Sequence, residues 1–244
     1  MSELVKLGGT GGGVLRVRRA LARGSLCRAL AVAFRPPTAT LAEELRGLAE
    51  PLPKDEGDRL RRLAERVGPE LACEYHRLLG PGGGCPIAES DYFPERMMGG
   101  KGALLGDAAA FYAAFRFDPA AELRASPDHL AIELSFLGWL HLKVAHALHA
   151  GLTEEAAITE DAVAKFAFEH VDPWIERFSE KLEGVAGDGF YGEAARALRA
   201  SWTPVEVPPG HPPLGPDLLA FAGIPEVAAA VEGAPAHRRE HGPF

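Results

Sequence analysis

Several residue types that mark common protein classes are scarce in this sequence. Cysteine occurs three times in 244 residues, as Cys27, Cys73 and Cys85. The number is odd, the spacing is wide and no CxxC is present, which excludes a disulfide scaffold or a zinc finger and suits a reducing compartment. No apolar run approaches the roughly 18–20 residues of a membrane span. Glycines 8, 9, 11, 12 and 13 stand where the apolar core of a signal peptide would be. The expectation is a cytoplasmic protein that does not insert into a membrane. Positive charge is also in deficit: 26 Lys and Arg against 34 Asp and Glu give a net charge of −8. Phosphate contacts need clustered cations, so nucleic acid is excluded as a partner. Arg16, Arg18, Arg19, Arg23 and Arg28 form a local basic cluster, read as the solvated face of a first helix.

Apolar residues and helix breakers are plentiful. Hydrophobic residues make up 47% of the chain, enough for one sizeable core or two small ones, and 28 glycines and 20 prolines punctuate it. The glycine-rich residues 1–13 read as a flexible arm. A helix is expected from Val14 to Phe34, stopped by Pro36 and Pro37. Thr40 and Glu43 have the spacing of a capping box. Further helices are expected over 54–67, around Leu71, Tyr75, Leu78 and Leu79, and over 103–117. The breaker run Gly80-Pro81-Gly82-Gly83-Gly84 reads as a loop. The clearest element covers 127–150, where Leu130, Leu134, Leu137, Val144 and Leu148 follow the helical period and Gly151 ends it. Another helix is expected over 160–171. Asp172-Pro173 then reads as an N-cap followed by proline at the first helical position. A last body helix covers 190–202. Pro204, Pro208, Pro209, Pro212, Pro213 and Pro216 mark an extension with short helices near 218–222 and 227–231. No alternating strand pattern appears. The fold class is therefore all-α. A single bundle of about eight to ten helices spans 14–203, and a proline-rich C-terminal extension spans 204–244.

Complete catalytic or ligand sets are missing. His141, His146 and His149 share one helical stretch, but no Glu or Cys joins them, so they read as partly exposed surface histidines. Neither Gly8–Gly13 nor Gly99-Gly100-Lys101-Gly102 has the spacing of a phosphate loop. No GxSxG occurs, and Cys73 with His76 lacks an orienting group. No metal and no other cofactor is expected. Asp128 is placed at a helix start, where it suits capping and the helix dipole as well as binding.

Two stretches pair breakers with polar groups that a bundle does not need. One runs from Tyr75, Leu78 and Leu79 through the glycine loop to Pro86, Glu89, Ser90 and Tyr92. The other is Pro127-Asp128-His129-Leu130, continuing to Glu133, Phe136 and Leu137. With Phe166, His170, Pro173, Trp174 and Phe178, and then Phe190-Tyr191, they resemble the TorD/DmsD/NarJ family of redox-enzyme maturation chaperones over about residues 20–202. Leu79 stands where Phe is commoner in that family, and Ser126 where an acidic residue is frequent.

The resemblance implies a non-enzymatic chaperone. Its partner would be the catalytic subunit of a molybdopterin-containing oxidoreductase, bound as apoenzyme or through its twin-arginine signal peptide. The chaperone would hold that client until cofactor insertion, acting as a monomer or homodimer. On this reading Glu89, Asp128 and Glu133 pair with arginine, with His129 beside them. Tyr75, Leu78, Leu79 and Phe136 line a groove for the apolar part of the peptide. Two alternatives stand beside it: a helical metal-dependent hydrolase using Asp128, His129 and Glu133, and a structural assembly subunit of a redox complex.

Overall fold

The computed structural model describes residues 11–93 and 101–204. Among them the chain forms helices α1 (Gly11–Ala33), α2 (Leu41–Ala49), α3 (Lys54–Glu65), α4 (Leu71–Leu78), α5 (Lys101–Ala114), α6 (Pro119–Glu122), α7 (Leu130–Ala150), α8 (Thr153–Phe166), α9 (Asp172–Ala186) and α10 (Phe190–Ser201). A 3₁₀ turn covers Glu89–Asp91, and a π-helical segment, Ala167–Val171, joins α8 to α9. No strand occurs among the described residues. A single antiparallel bridge pairs Ala88 with His129. The all-α bundle expected from periodicity is the fold.

Helix α7 is the axis of the bundle. Leu130, Ile132, Leu134, Phe136, Leu137, Leu140 and Val144 are all buried, although they point in every direction around the helix. A helix apolar on all sides must be enclosed, and α1 and α8 flank this one. The α1–α7 crossing depends on two facing glycines. A Cβ on Gly138 would stand 3.2 Å from the Gly24 carbonyl oxygen, and one on Gly24 3.3 Å from that of Gly138. Without side chains at these points the two backbones approach closely. On another face, Phe136 meets Phe166 at 4.7 Å and Tyr112 of α5 at 4.9 Å between ring centroids. Phe111, Phe115 and Phe117 complete the aromatic cluster. Helix α2 pairs with α3, and α9 with α10.

Several local expectations are corrected. Gly11, Gly12 and Gly13 form the first turn of α1 rather than part of an arm. N–H groups of a first turn need no intrahelical partner, so glycine is tolerated there once the helix beyond is held. The Thr40–Glu43 capping box does not form. Thr40 is in the helical region and its hydroxyl donates to Glu44 at 2.6 Å instead. Asp128 is not the cap of α7. His129 takes that place, its Nδ1 accepting from the Ala131 N–H at 3.1 Å. Nor does Asp172 start a separate helix, because the π segment carries the chain from α8 into α9 without a break. The Asp172 carboxylate accepts from the Trp202 indole at 2.7 Å. The short helices expected near 218–222 and 227–231 lie outside the described residues, as do residues 1–10.

Candidate functional site

The buried polar groups gather at the start of α7. The Ala88–His129 bridge straps the 3₁₀ turn onto this point: the Glu89 N–H donates to the Asp128 carbonyl at 2.9 Å, and the Leu130 N–H to the Ile87 carbonyl at 3.0 Å. The strap places Glu89 beside Asp128 and, one helical turn on, Glu133. All three carboxylates are inaccessible to solvent. The Asp128 carboxylate accepts from the Ser90 N–H at 3.1 Å. The fourth member is His170, in the π segment. Its Nδ1 stands 3.0 Å from Glu89 Oε2, and its Nε2 stands 3.3 Å from Oδ2 of the exposed Asp107 on α5. Tyr112 and Trp174 close the site; their polar hydrogens go to the Pro127 carbonyl at 2.8 Å and the His170 carbonyl at 2.6 Å.

The electrostatics divide these groups. Burial pushes the Glu133 carboxyl well above its usual range, and the charges of Glu89 and Asp128 push it further. The charged form of Glu133 is therefore disfavoured in the folded protein. Neither of its carboxyl oxygens makes a well-formed hydrogen bond, although the Trp174 indole leans toward it. Burial would also raise Asp128, but hydrogen bonds from Ser126 and Ser90 outweigh it and hold the group below its ordinary value. Burial brings His129 down to about 4, so it is a neutral cap. For His170 burial acts downward, but the bonds and charges of Asp107 and Glu89 prevail and raise it to about 9. Among the described residues the site thus holds one internal cation, the His170 imidazolium, beside carboxyl groups. Buried polar atoms left without partners are costly and few in native proteins, and Glu133 contributes two of them.

The residues singled out in the sequence fall into two sets. Glu89, Asp128, His129 and Glu133 come together as described. Among the described residues, Tyr75, Leu78, Leu79 and Phe136 are buried in the hydrophobic core. Tyr75 packs on Tyr191 at 6.0 Å, and Phe136 sits inside the aromatic cluster. An open surface groove of about 180 Å³ lies elsewhere along α7, between α1, α8 and residues 201–203, with Leu26, Leu137, His141, Val163 and Trp202 in its wall. Sequence reasoning gave His170 only a family resemblance and missed Asp107 and Tyr112 as members of the site. No spacing rule links residues on different helices, so only the proximity of His170 to Pro173-Trp174 carried a signal.

The match to known proteins covers this same region. The family described as nitrate reductase delta subunit matches residues 33–180, more than half of the chain. The chlorate reductase assembly chaperone protein of Ideonella dechloratans is 33% identical over 138 residues, which cover 52% of this chain and 69% of that protein. The selenate reductase assembly chaperone protein of Thauera selenatis is 31% identical over 144 residues, covering 56% and 72%. No solved structure gives a significant match. The four buried groups Glu89, Asp128, Glu133 and His170 all fall inside the matched span, and the chain belongs to the nitrate reductase delta subunit family, a family of assembly chaperones rather than enzymes.

Proposed function

We propose that the protein is a system-specific cytoplasmic chaperone for a molybdenum-cofactor-containing oxidoreductase. It binds the apoenzyme, through its twin-arginine signal peptide, until the cofactor is inserted and export is safe. The observation that carries this reading is Glu133: a fully buried carboxyl whose two oxygens lack hydrogen bonds, next to the carboxylates of Asp128 and Glu89. Stability alone gives no reason to keep such a group. A client guanidinium supplies what it lacks, five N–H donors and a positive charge. The net charge of −8 favours the approach of cations over distance. Leu137, one turn on from Glu133, lines the open groove beside α1 and α8, which suits the apolar segment that follows the arginines. Access to the carboxyls requires α5 or the 3₁₀ turn to move away from α7, and the Asp107–His170 ion pair is the polar tie to release.

The hydrolase alternative fits less well. Nδ1 of His129 accepts from the Ala131 N–H and burial brings the imidazole down to about 4, while Asp128 is sealed from solvent, so neither is placed to act as a base on a substrate. Calorimetric titration with a twin-arginine peptide and its twin-lysine counterpart tests the chaperone reading. We expect Glu133→Gln to weaken the arginine peptide about 10- to 150-fold, as for a lost charge-assisted bond of about 1.5–3 kcal/mol. Equal affinity of wild type and variant would place the client site elsewhere.

A further inference from the structure

We propose that Asp107, Glu169 and His170 form a binding site for one divalent transition-metal ion of the zinc or manganese class. Each residue offers one donor atom, and the three donors lie within 4.8 Å of one another. Metal–ligand distances of about 2.0–2.2 Å put donors on a shared ion roughly 3.0–3.5 Å apart. His170 Nε2 and Asp107 Oδ2 are already at 3.3 Å. That contact has the distance of an ion pair but not the direction of a hydrogen bond, which leaves Nε2 a buried nitrogen facing the Asp107 carboxylate.

The surroundings are those of a ligand histidine. Glu89 engages Nδ1 from behind at 3.0 Å, the outer carboxylate–imidazole contact that fixes the tautomer and leaves Nε2 for a metal. There the ion takes the place of the Nε2 proton, while Nδ1 keeps its proton toward Glu89. The rings of Phe166 and Phe111, at 4.7 and 5.8 Å, hold the imidazole plane. The π segment also matters. Its i→i+5 winding turns less per residue than an α-helix, so the adjacent side chains of Glu169 and His170 point more nearly the same way. Asp107 is 55% exposed, which gives an ion a way in and room for water as further ligands. One imidazole with two carboxylates and no thiolate suits zinc, manganese or iron(II) rather than copper(I) or calcium. A bound ion would fasten α5 to the π segment. The proposal does not depend on the chaperone reading.

The test is calorimetric titration of the chelator-stripped full chain with Zn²⁺, together with amide hydrogen exchange of α5. We expect one equivalent to bind wild type and to slow exchange in α5. Asp107→Asn, a change at an exposed residue that leaves the fold intact, should weaken binding by about 10-fold or more, and Glu89→Gln by about 10- to 100-fold. His170→Gln should abolish it. Absence of saturable binding would overturn the proposal. So would equal affinity in wild type and Asp107→Asn with unchanged α5 exchange, which would assign the ion to exposed histidines such as His146 and His149.

Discussion

Phe136 and Glu133 are one turn apart on α7 and both are fully buried, yet their surroundings are opposites. Phe136 is ringed by Phe111, Tyr112, Phe115, Phe117 and Phe166, contacts that suit an apolar side chain. Around Glu133 stand the carboxyls of Glu89 and Asp128 with Tyr112 and Trp174, and neither of its oxygens makes a well-formed hydrogen bond. Burial of the Phe136 ring stabilises the fold, whereas burial of the Glu133 carboxyl costs stability, and we propose that it is kept for what it can bind. The same helix therefore carries the strongest part of the core and its least satisfied part. Substitutions should separate the two, because one set will move stability without touching recognition and the other will do the reverse.

The largest effect is expected at Phe136. Phe136→Ala removes the ring at the centre of the aromatic cluster and should cost about 3–5 kcal/mol in chemical denaturation. A loss under about 1 kcal/mol would mean that the cluster is not the core of the bundle. Next comes the α1–α7 crossing. Gly138→Val forces side-chain atoms against the Gly24 carbonyl and should cost about 1–3 kcal/mol by overpacking. A fully stable Gly138→Val protein would contradict the close approach.

Glu133→Met tests the other side of the comparison. It replaces an unsatisfied buried carboxyl by an apolar chain of similar length, so the protein should gain about 1–3 kcal/mol while peptide affinity falls. Loss of both together would show that Glu133 is an ordinary structural residue. The pH dependence sharpens this. Glu133 has a folded pKa above its ordinary value of 4.5. Its contribution to stability is therefore fully present below about pH 4.5 and is lost as pH rises toward the folded pKa. Glu89, Asp128, Tyr112 and Trp174 face it. Subtracting the Glu133→Gln stability profile from wild type should leave a difference that falls with rising pH from about 5 upward. A flat difference would mean that the carboxyl is not perturbed.

Asp128→Asn should be the smallest change. The amide oxygen can still accept from Ser90, so only the charge assistance is lost, about 1 kcal/mol by thermal or chemical denaturation. A loss beyond about 3 kcal/mol would make Asp128 a fold-critical residue rather than a member of the acidic group.

The sequence determined much of this by itself. The 3.6-residue spacing from Leu130 to Leu148 specified a long buried helix, and Gly151, with φ of 74°, ended it where a left-handed residue was needed. The lack of alternation excluded a sheet. Asp128, His129 and Glu133 stood out because their stretch pairs a helix breaker, Pro127, with polar groups that a bundle does not need. Local patterns report on local structure, and these are local. Their failures were local too. Asp128 at a helix start looks like a cap until Ser90 claims its carboxylate and His129 takes the capping place. Thr40 looks like half of a capping box until its backbone turns helical. Tertiary structure alone decided what surrounds each group. It brought Glu89 from a loop, Asp107 from α5 and His170 from a π segment to one point, across 81 residues between Glu89 and His170. It also placed Phe136 in the core, where composition allowed a groove. The physical reason is that burial and charge pairing depend on distance in space, and no periodicity along the chain encodes the distance between two helices.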